Sequence, residues 1–294
     1  MEQLIKLTPY LQSTVWGSNR WGKGPIGESW VISNHPKGSS LVNGIRLADL
    51  IKDLPYLVKF IDTLDNLSVQ VHPGDEFAKK HENSLGKTEC WIVLSAKPGS
   101  GIYLGLKENV SETEFRKALE NGEDMSAFLN FFPVSRGDFY FVPAGTVHAI
   151  GKDIFLVEVQ QSSGITYRVW DWNRLGLDGK PRELHIEKAL KVINFKKNLS
   201  YKKEKVFDHS GETLLVEHDY FRVNLINLKK NQETTVNLGY NRIGGLVCLE
   251  GTVDVVRDSQ ERSLKQMESL LAPLGQFGPV KIRSKEDSLL IWVN

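Results

Sequence analysis

Cysteine is nearly absent: the 294 residues contain two, Cys90 and Cys248, and neither sits in a C-x-x-C pair. A disulfide-built scaffold is therefore excluded, and a reducing compartment is expected. Net charge is also missing, with 37 basic residues against 36 acidic ones. Nothing in that balance calls for nucleic acid or an anionic membrane, and no helix-turn-helix or basic recognition helix is visible, so a small-molecule substrate is the default. Long apolar runs are lacking as well. No stretch approaches the roughly 18 apolar residues of a membrane span, and Met1-Glu2-Gln3-Leu4-Ile5-Lys6 has no signal-peptide core. Together these absences predict a cytoplasmic protein. The one basic run, Lys196 to Lys205, reads as a solvated linker.

What the chain has in quantity is short apolar or alternating runs broken by Gly, Pro and Asn, the pattern of an all-β barrel or sandwich. Helical spacing is confined to a few places. Ser111 to Phe131 opens with a Ser N-cap and an acidic first turn, Asp75 to His81 reads as a short inserted helix, and Arg182 to Ile193 carries Leu184, Ile186, Ala189, Leu190 and Ile193 at helical intervals. Strands resume near Thr213. Gly245 to Gly251 followed by Val253 to Val256 reads as a hairpin, and Ser288 to Val293 as the last strand. The length suffices for two compact domains, with a boundary within 196–212.

The chemistry-bearing residues lie in the first domain. In Ser68-Val69-Gln70-Val71-His72-Pro73, Gln70 and His72 share one strand face because side chains alternate with period two. Glu89 and His148 arrive on other expected strands. A set of two imidazoles, a carboxylate and an amide suits zinc or another first-row divalent ion and leaves room for a substrate oxygen or water. A lone His in an apolar stretch is more often a hydrogen-bonded core residue. Here, however, Gly137, Pro143, Gly145 and His148 follow the pattern Gly, five residues, Pro, one residue, Gly, two residues, His. That spacing is the second signature of the cupin barrels, in which Phe139 to Val142 form a strand, Pro143 and Gly145 turn it, and the next strand carries the His inward.

With these motifs placed, the chain resembles the short bacterial type I mannose-6-phosphate isomerases. The resemblance rests on Pro55-Tyr56-Leu57-Val58-Lys59-Phe60, Leu67 to Pro73, Gly86 to Trp91, Phe141 to Ile150, Val157 to Ser163 and Thr166 to Asp171. It implies a mainly β fold of two cupin-type jelly-roll barrels with helices inserted in the N-terminal half. The domains would be a catalytic barrel at 1–195, a linker at 196–212 and a structural barrel at 213–294. It further implies one divalent metal, Zn2+ being the expected ion, held by Gln70, His72, Glu89 and His148. Lys87 and Arg168 would face a sugar phosphate, and Lys59 and Ser68 match polar positions lining the family's pocket. Ser68 shares the Gln70 face by alternation, whereas Lys59 reads equally as an exposed strand residue or as a buried, purposeful charge.

One position departs from the family. An acidic residue commonly stands four positions before the arginine, and this chain has Gly164. The proton shuttle therefore falls first to Glu158, with Lys87 and His81 behind it. The bland role for Glu158 is an ion pair with Arg168, and for His81 a place at the end of a surface helix; the functional role for His81 is substrate binding. The expected reaction is aldose–ketose isomerisation between mannose 6-phosphate and fructose 6-phosphate through a cis-enediol. The rival readings are another cupin sugar-phosphate isomerase and a non-catalytic sugar-binding or regulatory cupin.

Overall fold

A computed structural model describes residues 4–196, 199–237, 243–272 and 279–294. The described elements are mostly antiparallel strands, with four α-helices among them. Contacts divide the chain into two compact units. The larger comprises residues 11–28 and 61–203, and the smaller comprises 1–10, 29–60 and 204–294. Residues 29–60 thus group with the C-terminal strands, where a single cut within 196–212 would have left them with the N-terminal segment.

In the larger unit an antiparallel ladder runs in the order Tyr201–Lys203, Phe139–Val142, Glu89–Ala96, Ile154–Gln161. A five-stranded sheet runs Leu129–Pro133, Gly101–Leu106, His148–Ile150, Val69–Val71, Tyr167–Trp170. Alternation decides what each face buries. One face of the five-stranded sheet presents Val69, Val71, Ala149, Tyr167 and Val169, which pack with Phe115, Ala118 and Leu119 of the helix Glu112–Glu120 and with Ala189 and Leu190 of the helix Ile186–Val192. Its other face supplies Ile102, Leu104 and Ile150 to a cluster with Trp91, Val93, Tyr140, Val142 and Leu156 of the facing ladder. Within that cluster Trp91 touches two polar side chains, the His148 ring and the Glu158 carboxylate.

Two expected elements take a different form here. The helix expected over 111–131 stops at Glu120, because Gly122 takes a left-handed conformation (φ +67°) and Leu129–Pro133 is claimed by pairing with Gly101–Leu106. Its start is as the sequence suggests: Ser111 and Glu114 form a capping box, with the Glu114 N–H donating to Ser111 Oγ at 3.2 Å. Ser111→Ala is expected to cost about 1 kcal/mol in denaturant unfolding; an unchanged midpoint would show that solvent replaces the cap. The Lys-rich run also holds an exposed strand, Tyr201–Lys203, which pairs with Phe139–Phe141.

The smaller unit contains a six-stranded sheet in the order Ile5–Leu7, Ser269–Ala272, Gly244–Glu250, Ser288–Val293, Arg222–Leu228, Gly211–Glu217. A four-stranded sheet runs Glu233–Asn237, Pro279–Ser284, Thr252–Arg257, Gln260–Lys265. Leu246, Cys248, Leu290 and Trp292 of the first sheet share a core with Val253, Val255 and Ile282 of the second. The expected hairpin of 245–251 with 253–256 is therefore not one. Those strands fall in different sheets: Gly251 (φ +83°) turns the chain between them, and Thr252–Arg257 pairs instead with Gln260–Lys265. Two consecutive apolar strands satisfy a hairpin and a sheet-to-sheet crossover equally well in sequence.

Candidate active site and metal centre

Along three strands of the larger unit the inward face changes from apolar to polar. Val93 and Trp91 give way to Glu89, Ile150 to His148, and Leu156 to Glu158 and Gln160. The register then aligns what the sequence leaves separate. His148 lies opposite Gln70, which lies opposite Arg168, so three side chains from three neighbouring strands share one face in a row. Glu89 pairs with Gln160, and Trp91 with Glu158, on the facing ladder.

The ligating atoms of His72, Glu89 and His148 all lie within 4.8 Å of one another, and all three side chains are buried. Glu89 uses both oxygens: Oε2 is 3.4 Å from His72 Nε2, and Oε1 is 3.3 Å from His148 Nε2. The second nitrogen of each ring is held by a main-chain carbonyl, His72 Nδ1 by Ile165 O at 2.8 Å and His148 Nδ1 by Thr146 O at 2.9 Å. A carbonyl can only accept, so the Nδ1 atoms carry the protons and both Nε2 lone pairs face the centre. Metal-binding histidines are oriented in this way. Gln70 joins the group through its amide, whose Nε2 is 3.3 Å from His148 Nε2; the reversed amide would present its oxygen at that place.

Charge at the centre is arranged to match. Burial drives the His72 imidazole down to about 3, with Lys87 reinforcing the shift and Glu89 opposing it, so the ring is neutral and can ligate. Burial works against the Glu89 carboxylate, yet the Lys87 charge beside it holds its pKa well below the ordinary value. The Lys87 ammonium donates to Glu89 Oε2 at 2.7 Å and lies 3.0 Å from His72 Nε2. A cation thus already rests against two of the ligands. The donor set, with its preset tautomers and ionised carboxylate, fits a divalent ion of the zinc kind.

Glu158 is 2 % exposed, receives the Trp91 indole N–H at 3.2 Å and lies 3.6 Å from the Lys87 ammonium through Oε1. Arg168 is not its ion-pair partner. The Arg168 Nη1 donates to the Glu183 carbonyl at 2.8 Å, while its Nε is buried and has no hydrogen-bond partner among the described residues. The nearby buried carboxylate, Asp171, is taken by Arg174 (Nη2 at 3.0 Å) and by Arg182 (Nε at 2.6 Å). Burial first, and then the Arg182 charge, lower the Arg168 pKa, with Asp171 and Glu183 opposing the shift.

The remaining sequence candidates are more dispersed. Ser68 is buried next to the Val69–Val71 strand. Lys59, in the smaller unit, is 6 % exposed, with its ammonium 5.8 Å from the Trp30 ring centre. His81 is on the exposed side of the helix Asp75–Glu82, its ring 4.2 Å from that of Phe77, outside the buried cluster. Two residues escaped the sequence reading. Trp91 could have been found, since it stands two positions after Glu89 and so shares its face. His185 could not: it seals the sheet edge by accepting the Arg168 N–H at 3.2 Å and donating its own N–H to Arg168 O at 2.7 Å, a pairing made by the fold.

A paired-sheet fold with a buried two-histidine, one-carboxylate centre defines a cupin-type metalloprotein, and known proteins narrow that class. No protein-family model matches the chain. The mannose-6-phosphate isomerase of Streptococcus mutans is 40 % identical over 222 residues, covering 67 % of this chain and 70 % of that protein. Mannose-6-phosphate isomerase ManA of Bacillus subtilis is 34 % identical over 274 residues and 85 % of each chain. The crystal structure of the mannose 6-phosphate isomerase from Bacillus subtilis superposes with a TM-score of 0.84 at 28 % identity over all of both chains. A zinc-bound mannose 6-phosphate isomerase shares the fold, with a TM-score of 0.73 at 18 % identity over 99 % of each chain. This chain belongs to the mannose-6-phosphate isomerase family.

Proposed function

We propose that the protein interconverts mannose 6-phosphate and fructose 6-phosphate at the His72, Glu89, His148 centre, with one Zn2+ as the ion held there and Gln70 as a fourth ligand. The observation that carries this reading is the convergence of the buried His72, Glu89 and His148 donors with Lys87 and Glu158 inside one unit, with Arg168 opposite Gln70 on the next strand. A divalent ion supplies Lewis acidity for the charge that develops on the sugar oxygens, without redox change. The other tasks fall to side chains. Glu158 takes the proton from one of the carbons C1 and C2 and returns it to the other, passing through the cis-enediol. Its surroundings suit that work, because the buried carboxylate is held by the Trp91 indole through Oε2 while Oε1 lies beside Lys87. Lys87 places positive charge where an oxyanion grows, and Arg168, with its Nε lacking a partner among the described residues, offers its guanidinium to the phosphate or to that oxyanion. Ser68 and His81 are candidates for holding the sugar.

In this reading the larger unit performs the chemistry and the smaller one is structural. Both cysteines are buried and unbridged, and no described helix is long and apolar enough to cross a membrane. A cytoplasmic enzyme acting on a small sugar phosphate, without nucleic acid or membrane partners, is the corresponding proposal.

A coupled assay with mannose 6-phosphate, run with metal analysis of the same sample, tests the activity; a metal-loaded protein without turnover would favour a sugar-binding role. Glu158→Gln is expected to slow exchange of the C2 proton with solvent deuterium by at least about a hundredfold, the range of a general base. Exchange at the parent rate would remove Glu158 from the shuttle.

A further inference from the structure

Lys87 touches both the candidate metal ligands and Glu158, and its main chain is held by a closed ring of side-chain hydrogen bonds. The amide hydrogens on either side of it go to side chains: Gly86 N–H donates to Asp75 Oδ1 at 2.8 Å, and Thr88 N–H donates to Gln161 Oε1 at 2.7 Å. Gln161 Nε2 donates in turn to the same Asp75 oxygen at 3.1 Å, which closes the ring. Lys87 N–H donates to Pro73 O, and Gln161 N–H to Thr88 O, both at 3.0 Å. Gly86 suits the ring because a Cβ there would lie 2.7 to 2.9 Å from Asp75 N, Gly74 C and Pro73 O. The turn that follows His72 is thereby drawn against the segment that precedes Glu89.

A lysine side chain is a flexible stem whose ammonium follows any nearby carboxylate, so its placement depends on the backbone that carries it. The Lys87 ammonium lies 2.7 Å from Glu89 Oε2 and 3.6 Å from Glu158 Oε1. A displacement of about 1 Å would change which carboxylate it serves, and errors of that size cost roughly a hundredfold in rate. We infer that Asp75 and Gln161 are positioning residues for Lys87, acting through the amide hydrogens of Gly86 and Thr88. The inference rests on the reading of Lys87 as a group that faces the substrate.

Asp75 also opens the helix Asp75–Glu82, where an acidic side chain has a purely structural use. The test must therefore separate the two roles. We would prepare Asp75→Ala, Asp75→Asn, Lys87→Ala and the Asp75→Ala/Lys87→Ala double variant, and measure kcat and KM for mannose 6-phosphate, bound metal and thermal unfolding. Asp75→Ala should lower kcat by about ten- to a hundredfold while KM stays within about threefold and metal stays bound. Asp75→Asn, whose amide oxygen can still accept both hydrogen bonds, should recover most of that loss. In the Lys87→Ala background, Asp75→Ala should produce no further fall.

The inference is overturned if Asp75→Ala costs the same factor in both backgrounds, or if its activity falls only in proportion to lost metal or lost folded protein. Near-parent turnover by Lys87→Ala alone would instead remove the reading of Lys87, and the inference with it. Gln161→Ala should repeat the Asp75→Ala pattern, since either substitution opens the same ring.

Discussion

Dialysis against a strong chelator is expected to lower isomerase turnover by at least roughly a thousandfold, about 4 kcal/mol of transition-state stabilisation. Zn2+, Mn2+ or Co2+ should restore it. The size of the effect follows from the reaction. A sugar C–H is a very weak acid, and enediolate charge needs a strong Lewis acid beside it. The metal-free protein should nevertheless stay folded. Stripping a cation from a buried carboxylate is usually costly because an uncompensated charge remains. Here the Lys87 ammonium stands 2.7 Å from Glu89 Oε2, and the two histidines are anchored by Ile165 O and Thr146 O. Near-ultraviolet dichroism of the chelated protein should therefore match that of the loaded one. Full activity in metal-free protein would end the metal hypothesis, whereas unfolding on chelation would make the ion structural.

Arg168→Ala should lower turnover by about a hundredfold, near 2.7 kcal/mol, the scale of one positioned electrostatic group. The charge environment gives the reason. Asp171 is satisfied by Arg174 and Arg182, so Arg168 stands in a half-buried place with no carboxylate within hydrogen-bond reach and a bare Nε among the described residues. Such an arrangement is costly in the resting protein and useful only when an anion arrives. Two consequences separate this from a structural role. The variant should unfold at the parent temperature or slightly above it, because a half-buried cation has been removed. Arg168→Lys should recover only part of the rate, since an ammonium cannot reproduce the planar fork. A nearly normal rate in Arg168→Ala would take the residue out of the site.

How far each feature could be read in the sequence depends on how local its cause is. Gln70 and His72 share a face because strands have period two, and that is visible in five letters. The turn at Pro143 and Gly145 that delivers His148 is equally local, as is the Ser111 cap. The end of the helix after Glu120 is less so: Asn121 and Gly122 hint at it, but pairing of Leu129–Pro133 with Gly101–Leu106 is what claims those residues as strand. The hairpin expected at 245–256 failed for a related reason, since alternation states which face is apolar and not which sheet will cover it. The grouping of residues 29–60 with the C-terminal strands has no local signature whatever.

The site divides in the same way. The sequence by itself determined the ligand chemistry, the composition that leaves a small molecule as the expected partner, and the motif order that resembles the isomerases, because these reside in residue identity and short spacing. Tertiary structure decided the rest, through register between strands far apart in the chain. It set His148, Gln70 and Arg168 in one row, put Lys87 between Glu89 and Glu158, assigned the hydrogen bonds of Asp171 to Arg174 and Arg182 rather than Arg168, and closed the ring of Asp75 and Gln161 around Lys87. Most of these are hydrogen bonds or charge contacts a few ångströms long between residues distant in the chain, as in Lys87 with Glu158 and Asp75 with Gln161, and short-range forces of that kind exist only once the backbone has folded.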